Sequence, residues 1–298
     1  MKAPLALRQR DRFVSLLLPW ADVVRRDLPW RRTRDPWSIL VSEVMLQQTQ
    51  VDRVIPKWEA FLRRFPTVRD CANAEQSEVV RSWEGLGFHR RAIALHQSAK
   101  AIVDRFEGVV PVDRRDLLSL PGIGPYTSRA LRVFAYEMDD AVLDTNVGRI
   151  IARAVVGATC RVGDAQQIAD SLVPLGDGWR WNQAMLDLGA MVCTKQRPTC
   201  GRCPVLNACR WRLENGPEQT ADPATGSGGV SKAQSKFEGS DRQGRGKILA
   251  LLRAHTTVSL TDAGEATGWL DGARVARVVE SLVSDGLCRR SGEGDLTL

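Results

Sequence analysis

Four of the chain's seven cysteines fall within 17 residues, in the spacing Cys193-x6-Cys200-x2-Cys203-x5-Cys209. So many soft ligands in one short stretch oblige the loop to close on a soft metal centre, either zinc or an iron–sulfur cluster. Zinc sites usually take two Cys-x2-Cys pairs from separate segments, and only one such pair is present. Three unequal gaps suit a [4Fe–4S] cubane better, because each thiolate then binds a different iron; structural zinc is the competing reading. Lys195, Arg197 and Arg202 lie between the cysteines and give the loop positive charge that could meet a phosphate backbone. Cys71, Cys160 and Cys288 are scattered, as expected of reduced, mostly buried thiols in a cytosolic protein.

Around this loop the chain reads as all-α. From about residue 5 to residue 192, apolar residues recur at three- and four-residue spacings over 37–49, 53–63, 76–84, 90–105, 126–136, 146–155 and 166–173. Short Pro- and Gly-bearing connectors separate the helices, among them Gly85-Leu86-Gly87 and Leu120-Pro121-Gly122-Ile123-Gly124. After Cys209 the composition shifts. Residues 214–236 are rich in Gly, Ser, Ala and Pro and read as a flexible linker. Amphipathic patterns return at 241–254 and 273–284, and Leu287 to Leu298 suits a hairpin turning at 291–294. The expected organisation is a helical domain over 1–213 containing the cysteine loop 193–209, a linker over 214–236, and a small winged-helix-like domain over 237–298.

The chain has 298 residues, enough for two domains, and 42 Lys and Arg against 35 Asp and Glu give a net charge of +7. That balance favours a polyanionic partner such as nucleic acid, although simple solubility would also account for it. No apolar run approaches a membrane span, and the N-terminal segment lacks a signal-peptide core, so the expected location is cytoplasmic.

Three further stretches carry chemistry. In Leu120-Pro121-Gly122-Ile123-Gly124-Pro125-Tyr126-Thr127, two glycines allow a tight turn and a close approach to another chain. The helix that follows can hold a phosphate at its start, a helix-hairpin-helix reading that contacts DNA without reading sequence. Twenty residues past Gly124, Asp144 precedes a helical pattern as a natural N-cap. Amides at a helix start keep such a carboxylate ionised, and an ionised carboxylate in a pocket stabilises an oxocarbenium-like transition state. Glu43 interrupts the otherwise apolar run Trp37 to Leu46, where apolar neighbours should raise its pKa toward that of a working general acid or base. Gln47 and Gln48 follow it and can hydrogen-bond base edges or fill a gap in a duplex.

Taken together, these stretches resemble the helix-hairpin-helix DNA glycosylases related to endonuclease III, and most closely the MutY-type adenine-DNA glycosylases. The resemblance covers roughly residues 28–210. It rests on Leu28-Pro29-Trp30, on Ser42 to Gln50 (SEVMLQQTQ), on Gly85-Leu86-Gly87-Phe88, on the 120–124 turn, on Leu143-Asp144, and on Asn182 to Ala190 (NQAMLDLGA) leading into the cysteine loop. It implies a two-lobed helical fold with DNA between a cluster-bearing lobe and a six-helix lobe, and a [4Fe–4S] cluster on Cys193, Cys200, Cys203 and Cys209.

The resemblance also implies roles for single residues. Glu43 would protonate the extruded adenine and later help water attack, and Asp144 would stabilise the sugar cation. Tyr126 stands where endonuclease III has the lysine that forms a Schiff base, which implies a monofunctional glycosylase. Gln47, Gln48, Phe88, Gly122, Gly124, Thr127 and Asn146 match DNA-contacting positions, Gln48 and Phe88 among those that wedge into a duplex whose base is extruded.

There are departures from the pattern. Phe88 replaces the usual Tyr, Thr145 replaces a usual Gly, and residues 238–298 are too few for the Nudix-like domain that reads 8-oxoguanine in many relatives. The implied partner is double-stranded DNA with a mismatched or damaged base pair, bound by a monomer associated with the nucleoid. The alternatives are a thymine or uracil mismatch glycosylase and a non-catalytic iron–sulfur DNA-binding protein.

Overall fold

A computed structural model describes residues 7–215, 221–230, 236–292 and 294–298. In chain order the helices are α1 (Leu7–Val24), α2 (Pro36–Leu46), α3 (Val51–Arg64), α4 (Val68–Asn73), α5 (Gln76–Ser82), α6 (Arg90–Phe106), α7 (Arg114–Leu118), α8 (Pro125–Phe134) and α9 (Thr145–Ile150). A π-helical turn, Ile151–Val156, continues α9 and leads to α10 (Val162–Leu172), α11 (Gly178–Met191) and α12 (Arg210–Asn215). The C-terminal part holds α13 (Asp241–Ala254), α14 (Leu260–Thr267), α15 (Gly272–Ser284), β1 (Arg289–Arg290) and β2 (Leu296–Thr297). The strands are antiparallel, with Arg289 opposite Thr297 and Arg290 opposite Leu296. The all-α reading holds, and helix, helix, helix, hairpin is the order of a winged helix. Among the described residues no helix is long and apolar enough to cross a membrane.

The chain divides into two compact units. The first comprises Met1–Leu40, Val112–Leu118 and Ile123–Lys232. Its core is built on α11, where Trp181, Ala184, Met185 and Leu188 recur at helical spacing and bury against Phe13 and Leu17 of α1 and Ile150 and Ile151 of the α9 region. Phe13 meets Trp181 edge-on, with ring centroids 6.1 Å apart. Each such side chain contributes roughly 1.5–3 kcal/mol by leaving water.

The second unit comprises Val41–Pro111, Ser119–Gly122 and Ala233–Leu298. Phe61 anchors one part of it, tilted against Phe65 and edge-on to Trp83. The C-terminal module does not stand apart within this unit. Ile248, Leu252, Val278, Val279 and Leu282 form one core with Val80 of α5 and Ile93 of α6. The Gln76 amide donates to the Gly286 carbonyl at 2.6 Å, and Arg253 pairs with Glu84 at 3.4 Å.

The stretch 214–236 departs from the expected flexible linker over residues 221–230. Pro223, Ala224 and Ser227 are buried there, and Asp222 is ion-paired to Arg153. Small residues that lack apolar periodicity also let a backbone lie close against its neighbours, and that is the use made of them here. Residues 216–220 and 231–235 of that stretch lie outside the described residues, as does Glu293 of the hairpin turn.

Candidate active site and cysteine loop

In the second unit, Glu43 sits on α2 and is 5% exposed among Ile39, Leu40, Val44 and Met45, all buried. The helix ends at Leu46, and Gln47 and Gln48 follow it. Gln48 is exposed and has φ 57°, and Phe88 in the neighbouring connector has φ 47°. Left-handed backbone at two non-glycine residues costs energy that the surroundings must supply.

Arg91 at the start of α6 supplies it. Its guanidinium donates to the carbonyls of Val44 and Met45 at 2.9 Å and of Gln47, and to the Thr49 hydroxyl at 3.0 Å. It also donates to the carbonyls of Leu86 at 3.2 Å and Gly87 at 3.1 Å. One half-buried cation thus closes the end of α2 and holds the 85–88 turn beside it. Burial pulls its pKa down to about 10, which leaves it charged at neutral pH.

Gly122 of the hairpin turn has φ 74°, and a Cβ there would come within 2.7 Å of the Ala94 Cβ on α6. The Ser98 hydroxyl fixes the same turn by donating to the Pro121 carbonyl at 2.6 Å. Gln47, Arg91, Ser98 and Gly122 line one cavity of about 400 Å³, so the structure brings together two of the expected DNA-contacting positions, Gln47 and Gly122.

In the first unit, Asp144 caps α9. Its Oδ1 accepts from the Asn146 and Val147 amides at 2.9 and 2.8 Å, and its Oδ2 accepts from the Asn146 side chain at 2.7 Å. Burial pushes its carboxyl above the usual range, while these hydrogen bonds and Arg149 pull it down; burial prevails. The cap amides thus oppose burial, as expected of a capping carboxylate, and hold the shift in check.

Asn146 was expected at the DNA, but its side-chain amide is committed to Asp144 and to Arg149, which donates to it at 2.8 Å. The Thr127 side chain, expected at the DNA as well, points into the fold. It is 2% exposed, because with Ala130, Leu131 and Phe134 it falls on the buried face of α8. Tyr126 is half-buried on the same helix, which begins with Gly124 as cap and Pro125 at its first position, the arrangement in which a helix start can hold an anion.

The NQAMLDLGA run holds this part in place. Asn182 accepts from the Val142 amide at 2.9 Å and donates to the Asp140 carbonyl at 2.8 Å, fixing the strand-like approach to Asp144. Gly189 lies so close to Asn146 that a Cβ there would meet the Asn146 Cβ at 2.4 Å. Asp187, fully buried, binds Arg31 and Arg26; burial alone would raise its carboxyl, and the two guanidiniums hold it below the usual range. The buried Oε1 of Gln183 has no hydrogen-bond partner among the described residues.

The four cysteines of the loop line one cavity whose walls include Ile150, Leu188, Val192, Val205 and Trp211. Arg153 donates to the Cys193 sulfur at 3.4 Å, and Arg212 to the Cys200 sulfur at 3.4 Å through two nitrogens. Cationic N–H donors aimed at sulfur in an apolar pocket suit a negatively charged thiolate-bound group. Among the described residues no three Cys, His, Asp or Glu side chains converge tightly enough to hold a single metal ion. A lone zinc needs all its sulfurs about 2.3 Å from one point, whereas a polynuclear cluster takes thiolates that are spread apart. The four thiols share one cavity, and guanidiniums donate to two of their sulfurs, a donor set of the kind a thiolate-bound group takes.

Sequence reasoning missed Arg91, Arg149 and Arg153, whose acceptors are largely backbone carbonyls. His89, just before α6, is half-buried, and burial with Arg253, Arg245 and Arg91 nearby lowers its pKa to about 4.

A buried glutamate within one helix, an aspartate capping another, a glycine hairpin turn and a four-cysteine loop are the marks of the helix-hairpin-helix class of base excision proteins. Residues 41–174 match the HhH-GPD superfamily of base excision DNA repair proteins. An adenine DNA glycosylase of Mycolicibacterium smegmatis is 44% identical over 287 residues, covering 95% of this chain and 94% of that protein. The adenine DNA glycosylase of Homo sapiens is 40% identical over 225 residues, 70% of this chain and 40% of that protein. The chain belongs to the adenine DNA glycosylases of this superfamily. Among solved structures, a thermostable thymine-DNA glycosylase superposes with a TM-score of 0.64 at 29% identity, covering 70% of this chain and 98% of that one. An endonuclease III trapped on DNA shares the fold, with a TM-score of 0.60 at 21% identity over 69% of this chain and 97% of that one.

Proposed function

We propose that this adenine glycosylase acts on adenine opposite 8-oxoguanine or G in duplex DNA, by hydrolysis without strand cleavage, and that Glu43 and Asp144 carry the reaction. The observation that carries the reading is Asp144, a carboxylate with one oxygen held by two cap amides at a helix start and the other by the Asn146 side chain. A carboxylate fixed in this way stabilises positive charge in a transition state without reorganising first.

The buried Glu43 carboxyl gives its proton to a ring nitrogen of the extruded adenine. The C1′–N9 bond then breaks with its electron pair leaving on the base, and the sugar carries the positive charge that Asp144 stabilises. The Glu43 carboxylate next takes a proton from the water that attacks C1′, which regenerates the acid and leaves an abasic site and free adenine. Tyr126 has no amine, so no Schiff base forms on it and the strand stays intact. Gln48 and Phe88, on strained turns held by Arg91, would fill the space that the extruded nucleotide vacates.

Cys193, Cys200, Cys203 and Cys209 would hold a [4Fe–4S] cluster. Bound there, the cluster ties the loop into one rigid piece.

The test is single-turnover release of adenine placed opposite 8-oxoguanine, with wild type and Glu43→Gln. Release by wild type that vanishes in the variant supports the reading; no release opposite 8-oxoguanine or G overturns it. A second reading, action on thymine or uracil opposite G, draws on the likeness to the thymine-DNA glycosylase structure. Duplexes carrying those pairs, run alongside, decide between the two.

A further inference from the structure

Residues 222–229 follow the cysteine loop in sequence and return to the helix that carries Asp144. At the near end, both oxygens of Asp222 accept from Arg153, at 2.9 and 2.5 Å. The same guanidinium donates to the Thr194 carbonyl at 2.7 Å and the Lys195 carbonyl at 3.0 Å in the cysteine loop. In the middle, Ser227 and Gly228 pair with Cys160: the Cys160 amide donates to the Ser227 hydroxyl at 3.0 Å, and the Gly228 amide donates to the Cys160 carbonyl at 2.6 Å.

At the far end the backbones lie close, and at Gly228 the fit excludes even a methyl group. A Cβ on Gly148, one turn into α9, would lie 3.0 Å from the Gly228 carbonyl oxygen and 3.2 Å from the Gly229 carbonyl carbon. A Cβ on Gly228 would lie 2.2 Å from the Val162 amide nitrogen. Gly229, at φ 82°, faces the Leu143 side chain and the Asp144 carbonyl.

We infer that this segment is a positioning strap for Asp144, with Asp222 and Gly228 as its positioning residues. The helix it presses on, α9, is six residues long and ends in the π-helical turn that carries Arg153. So short a helix holds a fixed start only through tertiary contacts. The strap makes those contacts on the side of Leu143 and Gly148, while Asn182 and Gly189 make them from α11. Because Arg153 is shared, the strap's first anchor and the cysteine loop are fixed by one side chain.

The inference rests on the proposed role of Asp144, so the test includes a readout that does not involve adenine. In the full-length, cluster-loaded protein, Asp222→Ala and Gly228→Ala should each raise hydrogen exchange over residues 143–150 about tenfold. They should lower the single-turnover excision rate constant about 10- to 100-fold, with duplex affinity within about twofold of wild type and the cluster's visible absorption unchanged. Asp222→Glu, which keeps the carboxylate, should recover most of the rate. Unchanged exchange over 143–150 in both alanine variants overturns the strap, as does exchange that rises equally throughout the chain. A local rise in exchange, in a protein whose wild type releases no adenine, would keep the strap and overturn the proposed reaction instead.

Discussion

The Arg91 guanidinium donates to the Val44 carbonyl at 2.9 Å, one residue beyond Glu43. The contact ends the helix that carries the proposed acid and, through the same side chain, holds the turn that carries Phe88. Arg91→Ala would leave several buried carbonyls without a donor. Stability in urea should therefore fall by about 2–4 kcal/mol. Arg91→Lys should recover little, since an ammonium cannot reach both turns from one plane. The expected further consequence is weaker binding to mismatched duplex than to abasic-site duplex, because extrusion becomes harder. Equal loss on both substrates would mean that Arg91 serves the fold alone.

Asp144 sets the sign of the acid side of the pH profile. Its carboxyl is raised above 3.8 by burial, and only the ionised form stabilises the sugar cation. Excision should therefore decline as pH falls through a value above the ordinary aspartate range. Asp144→Asn should abolish that limb and lower the rate constant about 10²- to 10³-fold. The same upward shift means that the folded state loses stability as pH rises through the pKa, when a buried carboxylate must ionise. Asn caps helices as well as Asp does. The variant should therefore melt higher than wild type at neutral pH, and a lower melting temperature would show that the carboxylate is chiefly structural.

The sequence made the site legible wherever the chemistry is local. Four thiols within one loop, a carboxylate directly before a helix and a glutamate inside an apolar run each declare themselves within a few residues. Arg91, Arg149 and Arg153 did not, because most of their acceptors are backbone carbonyls, and carbonyls leave no mark on a sequence. Thr127 enters the expected DNA contacts through the resemblance alone, and its register with Ala130, Leu131 and Phe134, which turns its side chain inward, shows only once the helix is placed. Residues 221–230 read as linker because Gly and Ser signal freedom in sequence, whereas here they permit a contact too close for a side chain. The helix α14 was missed for its length, eight residues with little apolar periodicity.

His89 makes the second unit sensitive to mild acid. Its pKa falls from 6.5 to about 4 on folding, so between those values the unfolded chain takes up a proton that the folded chain refuses. Stability is therefore fully present above about pH 6.5 and declines as pH falls toward 4, by at most about 3 kcal/mol from this group. Replacing His89 with Gln should flatten that part of the stability curve, measured by denaturant unfolding at several pH values. An unchanged slope would place the titrating group elsewhere.

Tyr126 predicts the chemical outcome at the sugar. Without an amine at that position no covalent imine forms, so borohydride should trap no enzyme–DNA adduct, and the strand should break only after alkali is added. A trapped adduct in wild type would show that another amine reaches C1′.

The cysteine loop has little regular structure of its own, only short 3₁₀ turns at Cys200–Arg202 and Leu206–Ala208. Val205 and Trp211 enter the core of the first unit and fix the loop's path there, and the cluster proposed for the four thiolates would fix the rest. Removing one ligand should therefore unfasten the loop as well as the group it binds. Cys203→Ser should lose iron and visible absorption, melt lower than wild type, and become open to protease between residues 194 and 209. Lys195, Arg197 and Arg202 would then no longer be held in place, and duplex affinity should fall with a shallower salt dependence. A variant that keeps full iron content would assign the cluster other ligands, and one that loses iron with its melting point unchanged would make the loop's fold independent of the cluster.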